Sequence, residues 1–249
     1  MEITFDIFGA TDIGRRREEN QDEYRIDRDI GLYIVADGMG GMDHGKEAAK
    51  YAVDRLALGI RLALDDMVEK TEKNITKMFE EQLELADVGV RKHFGWNSGT
   101  TVVILLIIDD SAYVTHVGDS RVYLYKRNVL HQLTEDHDQA SRFVRSGDLT
   151  KEEARGHPSQ ALVTNYLGGM IESDDILVIT RFNLNTKNHI RFLLCTDGLT
   201  NMVSDRKIAE ILGGTESPEF TVEKLIERAN KEGGTDNITA LIVDVKPKV

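Results

Sequence analysis

The sequence predicts an α+β fold: a four-layer α-β-β-α sandwich, two antiparallel β-sheets packed together with a helix pair on each outer face, plus a flap subdomain. Three observations predict it. Strand-length apolar runs follow one another with tight turns between them, and parallel crossovers need a dozen residues or more. Two long amphipathic stretches come consecutively, and a second pair of helical patterns lies near the end of the chain. Two sheets facing each other, each under a helix pair, then cover every apolar face.

Taken in order, Ile3 to Phe8 alternates as a strand does, and Asp22 to Arg28 reads as another. Leu32 to Ala36 pairs with it across the turn at Asp27–Gly31. From Glu47, Ala49, Val53, Leu56, Ile60 and Leu64 fall on one helical face. A second helix carries Ile75, Met78, Phe79, Gln82, Leu83, Ala86 and Val90, and the two should pack as an antiparallel pair. Thr100 to Ile108, Ala112 to Val117, Arg121 to Lys126 and Val129 to Leu133 are four strands in hairpin succession. Residues 135–172 break this rhythm: the piece is polar, with short helical patterns at Asp138–Ser146 and Thr150–Arg155, and reads as an inserted surface subdomain. Strands resume at Ile176–Phe182 and Ile190–Cys195. Ser204 is the expected N-cap of a helix through Leu212; another helix runs from Thr221 to Lys231, and a last strand from Asn237 to Val245.

With 249 residues and no repeat or linker, a single domain spanning 1–249 is expected. Acidic residues number 43 against 31 basic, a net charge of −12, which argues against nucleic acid as a partner. No apolar run approaches the roughly 18 residues of a membrane span. The N-terminal residues carry acids and lack the basic start of a signal peptide. The single cysteine, Cys195, lies in an apolar run and reads as core filling, so a reducing, cytoplasmic setting and a monomer are the expectation.

The chemistry concentrates where strands meet aspartates. Val35-Ala-Asp37-Gly38 ends one apolar run, and by itself this Asp-Gly turn fits a helix cap or the seat of an ion or phosphate. The arrangement recurs in Cys195-Thr-Asp197-Gly198, in Val117-Gly-Asp119-Ser120, and in Asp236-Asn237 just before the last strand. Antiparallel strands can bring such carboxylates to one edge. Crowded carboxylates raise one another's pKa unless cations neutralise them, and oxygen-only ligands suit Mg²⁺ or Mn²⁺. One cysteine and scattered histidines leave no zinc pattern. Gly40 to Lys46 matches the spacing of a phosphate-binding P-loop, but Glu47 stands where Ser or Thr would bind Mg²⁺, and Asp43 puts a negative charge inside the loop.

Five segments resemble the metal-dependent serine/threonine protein phosphatases, the PPM family of type 2C, in particular its stand-alone bacterial members. They are Thr11-Asp-Ile-Gly14-Arg-Arg-Arg17-Glu-Glu-Asn20-Gln21-Asp22, Val35-Ala-Asp37-Gly38-Met-Gly40-Gly41, Ser98-Gly-Thr-Thr101, Val117-Gly-Asp119-Ser120-Arg121, and Thr196-Asp197-Gly198 together with Gly234-Thr-Asp236-Asn237. The resemblance implies hydrolysis of phosphoserine and phosphothreonine by a hydroxide bridging two Mn²⁺ or Mg²⁺ ions. Asp37 would bridge the ions, Asp197 and Asp236 complete one, the Gly38 carbonyl joins Asp37 on the other, and Asp22 acts nearby through water. Asp119 with Asp197 matches a third, weaker metal site. Arg17 matches the phosphate-binding arginine, leaving Arg15 and Arg16 solvated. The 135–172 insert is similar to the family's flap beside the site. Phosphoproteins made by a Ser/Thr kinase are the implied partners. Met39 departs from members that carry histidine there as a proposed general acid, which leaves that role unassigned, with a metal-bound water as the first candidate and His44 a weaker one; Gln21 stands where some members have Glu. The competing expectation is a catalytically silent phosphoprotein-binding module on the same fold.

Overall fold

The computed structural model describes residues 3–39, 44–154, 156–169, 180–184 and 189–247. The chain begins with β1 (Ile3–Asp12), β2 (Asp22–Asp27) and β3 (Leu32–Met39), followed by the helices α1 (Gly45–Asp66) and α2 (Glu72–Phe94). Next come β4 (Gly99–Thr100), β5 (Val102–Ile108), β6 (Ser111–Val117), β7 (Arg121–Lys126) and β8 (Val129–Gln132). The insert holds α3 (Gln139–Ser146), α4 (Lys151–Ala154) and a 3₁₀ turn at Pro158–Ala161. The last stretch is β9 (Thr180–Asn183), β10 (Ile190–Cys195), α5 (Asp197–Thr200), α6 (Asp205–Leu212), α7 (Pro218–Lys231) and β11 (Ile238–Pro247).

Two sheets form, in the orders β1-β11-β10-β7-β8 and β2-β3-β5-β6-β9, with β4 beside β3. Their pairings are antiparallel. The period-two alternation of β3 shows why its run is apolar on both faces. Tyr33 and Val35 point between the sheets with Val103, Leu105, Phe192 and Leu194. Leu32, Ile34 and Ala36 point outward under α1 and α2, against Leu56, Ile60, Phe79 and Leu83. On the other sheet Leu193, Cys195 and Ile242 pack under Ile208, Val222 and Leu225 of α6 and α7. Cys195 is fully buried, as its apolar neighbours predict.

Caps explain the helix starts. Ser204 accepts from the Lys207 amide, as expected, and Asp138 from that of Ser141. The helix expected from Thr221 starts at Pro218, because Ser217 caps the Phe220 amide and proline suits the first turn. The run expected as one strand from Thr100 to Ile108 divides into β4 and β5 at Thr101. Its register against β3 is unbroken (Gly38↔Thr100, Val35↔Val103), but the Asp37 amide bonds the Thr101 hydroxyl at 3.0 Å. Of the strand expected at Ile176–Phe182, residues 176–179 lie outside the described residues, and so do Gly40 to Asp43 and Arg155. The insert is stitched to the site's strands: Leu167 and Thr100 exchange backbone bonds of 2.9 and 3.0 Å, and the Asp87 carboxylate takes the Gly168 amide. Among the described residues no helix is long and apolar enough to cross a membrane.

Candidate active site

Strand pairing assembles the acids. Asp22 opens β2 directly opposite Asp37 in β3. Asp197 follows β10 and Asp236 precedes β11, at the end where those two strands pair Cys195 with Ala240. Asp119 follows β6, whose Val117 pairs with Val102 of β5. All five predicted aspartates therefore converge at one edge of the sandwich.

The Asp37 strand is held by Thr101, which donates its amide to the Asp37 carbonyl at 2.9 Å, and by the Thr100 hydroxyl on the same carbonyl. Gly38 is required here, since an added Cβ would meet the Gly45 carbonyl at 2.2 Å and that of Gln21 at 2.6 Å. Its amide bonds the Gln21 carbonyl, tying β3 to the residue before Asp22.

Asp22 is buried. Its Oδ2 accepts from the hydroxyls of Thr196 at 2.9 Å and Thr239 at 2.6 Å. Thr239 has one proton to give, so the Thr11 hydroxyl 2.7 Å away donates to Thr239 in turn. Asp22 Oδ1 is buried with no partner, and so is Asp197 Oδ1, while Asp197 Oδ2 accepts from the Asn201 amide at 2.9 Å. Asn237 organises the approach: its side chain accepts from Gln21 N–H and donates to the carbonyls of Ile13 and Glu19.

These contacts leave the acids poorly compensated. Burial first, then the neighbouring charges of Asp197 and Asp236, lift the Asp22 carboxyl to about 7. Burial and then Asp236 raise Asp197 to about 6, despite hydrogen bonds from Asp37 and Asn201. Asp37 and Asp119 are also pushed well up, chiefly by burial and then by the surrounding carboxylates. Arg17 is the counter-charge. It is half-exposed, donates to Asp236 Oδ2 at 2.7 Å, and this bond raises its own pKa. Arg15 and Arg16 are exposed.

Among the described residues no three acidic, histidine or cysteine side chains converge as a finished metal cage. Asp22 is turned to two threonines, Asp197 to Asn201, and Asp236 to Arg17. The donor set nevertheless fits hard cations, since it is all oxygen and holds two buried carboxylate oxygens without partners. The Gly38 carbonyl faces Gly45, where a Cβ would stand 2.9 Å away and cover it. Of the general-acid candidates, Met39 is half-buried and carries no transferable proton, and His44 is half-exposed beside Glu47.

Thr239 and Asn201 were not legible as site residues. Asn201 has a readable signal after the fact, a partner four residues after Asp197 across one helical turn. Thr239 has none, because its role depends on the register of β11 against β10 and β1.

Comparison with known proteins agrees with this architecture. The family model described as protein phosphatase 2C matches residues 12–241. The serine/threonine phosphatase stp of Listeria monocytogenes is 34% identical over 251 residues, covering 94% of this chain and 93% of that protein. Protein phosphatase PhpP of Streptococcus pneumoniae is 34% identical, with 98% of each chain covered. The crystal structure of the Mycobacterium tuberculosis serine/threonine phosphatase PstP/Ppp superposes with a TM-score of 0.82 at 30% identity, covering 98% of this chain and 99% of that one. A PstP catalytic domain in complex with two manganese ions gives a TM-score of 0.80 at 27% identity, covering 99% and 100%. The chain belongs to the protein phosphatase 2C (PPM) family. Its class is that of an enzyme, a protein phosphatase.

Proposed function

We propose that this protein hydrolyses phosphoserine and phosphothreonine in proteins with the help of Mn²⁺ or Mg²⁺, and that the chain is one catalytic domain whose residues 135–172 form a flap beside the site. The observation that carries the reading is the pair of buried, unpartnered oxygens, Asp22 Oδ1 and Asp197 Oδ1, in a group of acids of which Asp22, Asp37, Asp119 and Asp197 are driven toward protonation. A buried acid cluster of this kind is costly by itself and becomes favourable when cations fill it.

Asp37, Asp197 and Asp236 with the Gly38 carbonyl would hold two ions, with Asp22 acting through water. Asp119 and Asp197 would hold a third more weakly. When bound, the ions supply an activated water and neutralise charge on the phosphoryl group. Arg17 takes the phosphoryl oxygens: it is half-exposed at the rim, and its planar fork can donate two bonds to one phosphate. Thr196, Thr239 and Asn201 orient Asp22 and Asp197, so that the free oxygen of each faces away from its donors. Met39 has no proton to give the departing serine or threonine oxygen and His44 is half-exposed beside Glu47, so this reading takes the proton that restores the hydroxyl from water.

The substrates on this reading are proteins phosphorylated by a Ser/Thr kinase, met in the cytoplasm by a monomeric phosphatase. A silent binding module would not need the complete set of acids. The test is Mn²⁺-dependent hydrolysis of an aryl phosphate and of a phosphothreonine peptide. Activity should vanish with EDTA and in Asp37→Asn; a folded wild type without metal-dependent turnover would sink the proposal.

A further inference from the structure

Between β8 and α3 the chain passes through Glu135, Asp136, His137 and Asp138, and each residue is bonded individually. The Glu135 carbonyl accepts from His116 Nε2 at 2.6 Å. Asp136 receives the Arg121 fork, with bonds of 2.6, 2.8 and 3.1 Å, and also the Gln132 amide. Asp138 caps α3 through the Ser141 amide. His137 is stacked on His116, ring centres 4.4 Å apart and planes 30° apart, and both rings are buried.

His137 also holds a turn that cannot hold itself. Its Nδ1 accepts the Gly118 amide at 3.1 Å, and its own backbone N–H donates to the Gly118 carbonyl at 3.0 Å. Gly118 has φ of +109°, and an added Cβ would meet Thr101 at 2.6 Å, so the position is confined to glycine. Both hydrogen-bonding groups of this turn are thus satisfied by one residue nineteen positions later in the sequence. The next residue is Asp119, whose carboxyl is pushed up by burial first and then by the charges of Asp197 and Asp136. As an acceptor, Nδ1 must be unprotonated.

We propose that His137 is a positioning residue that fixes the Gly118 backbone and thereby aims the Asp119 carboxylate toward Asp197. The inference rests on the reading of Asp119 as ligand of the third, weakest cation. The imidazole acceptor carries the effect, with the His116 ring and the Arg121–Asp136 fork holding the imidazole in place.

The experiment is a Mn²⁺ titration by calorimetry on the full chain, with circular dichroism and thermal midpoints as folding controls. Wild type should show a weak binding event beyond the tight ones, and Asp119→Asn should lose it. His137→Ala should weaken that event by about tenfold, the worth of one buried hydrogen bond, and leave the tight events unchanged. His137→Asn, whose Oδ1 falls near the lost Nδ1 and can accept the Gly118 amide, should bring the event back although it has no ring to stack. His137→Leu keeps the bulk without the acceptor, and it decides the matter in place of alanine if that variant is unfolded. A role in packing alone would lower the thermal midpoint of each variant and spare the weak event. Weak binding of wild-type strength in the variants without an acceptor overturns the proposal, as does equal loss in alanine and asparagine variants. Retention of the weak event in Asp119→Asn overturns the ligand reading beneath it, and that failure is visible without any His137 variant.

Discussion

Asp22→Asn should make the metal-free protein more stable while impairing its response to metal. Lifting a carboxyl from its ordinary 3.8 to about 7 costs about 1.4 kcal/mol for each pH unit between the two values, roughly 4 kcal/mol once the pH exceeds 7. A carboxyl raised in the native state binds its proton more tightly there than in the unfolded chain. Its contribution to stability is therefore intact below about pH 4 and is lost progressively as the pH rises through about 7. Asparagine removes that loss, but its side-chain N–H₂ takes the place of Oδ1, where nothing of the protein accepts from it, at a cost of about 2 kcal/mol at either pH. The net gain is then about 2 kcal/mol at pH 8 and close to zero at pH 5. Urea titrations in EDTA at both values measure it directly. Millimolar Mn²⁺ should reverse the order, because ligand binding to the native state stabilises the wild type by mass action. A variant less stable than wild type at pH 8 in EDTA, or one offset equally at both pH values, refutes the reasoning.

Arg17→Lys should lower kcat/KM on a phosphopeptide by about ten- to a hundredfold, because a single ammonium cannot replace a two-pronged bond to phosphate; unchanged kinetics would remove Arg17 from substrate binding. Away from the site, Arg191 is buried with five hydrogen bonds, two of them to the buried Asp244 carboxylate. Arg191→Met should cost about 3 kcal/mol in a urea titration by leaving that buried charge only His189, at 3.1 Å, and Lys246, at 3.8 Å, and Arg191→Met with Asp244→Leu should recover most of the loss. A double variant no more stable than the single one would show that the stranded charge is not the cause.

Much of the fold is legible because side-chain periodicity is a local property. Leu32 to Ala36 and Phe192 to Cys195 are apolar at every position, and each proves to lie in a strand covered on both faces. The paired helices follow from the spacing of Leu56, Ile60, Phe79 and Leu83. Departures sit where local signals compete. Thr101 would continue a strand by propensity, but its hydroxyl takes the Asp37 amide and divides the run.

The sequence by itself determined which acids the fold brings together, because aspartates flanking apolar strands recur at Asp37, Asp119, Asp197 and Asp236, and the intervening runs have one structural reading. Only the tertiary structure decided what surrounds those acids. Thr239 reaches Asp22 across 217 residues, Arg17 reaches Asp236 across 219, and His137 braces the turn before Asp119 from the root of the insert. The physical reason is range: amphipathic period and capping act over a few neighbours, whereas hydrogen-bond partners at a sheet edge are set by strand register between segments far apart in the chain. That register places β1 beside β11 and Asp22 opposite Asp37, and it leaves two buried oxygens with nothing of the protein's own to bind.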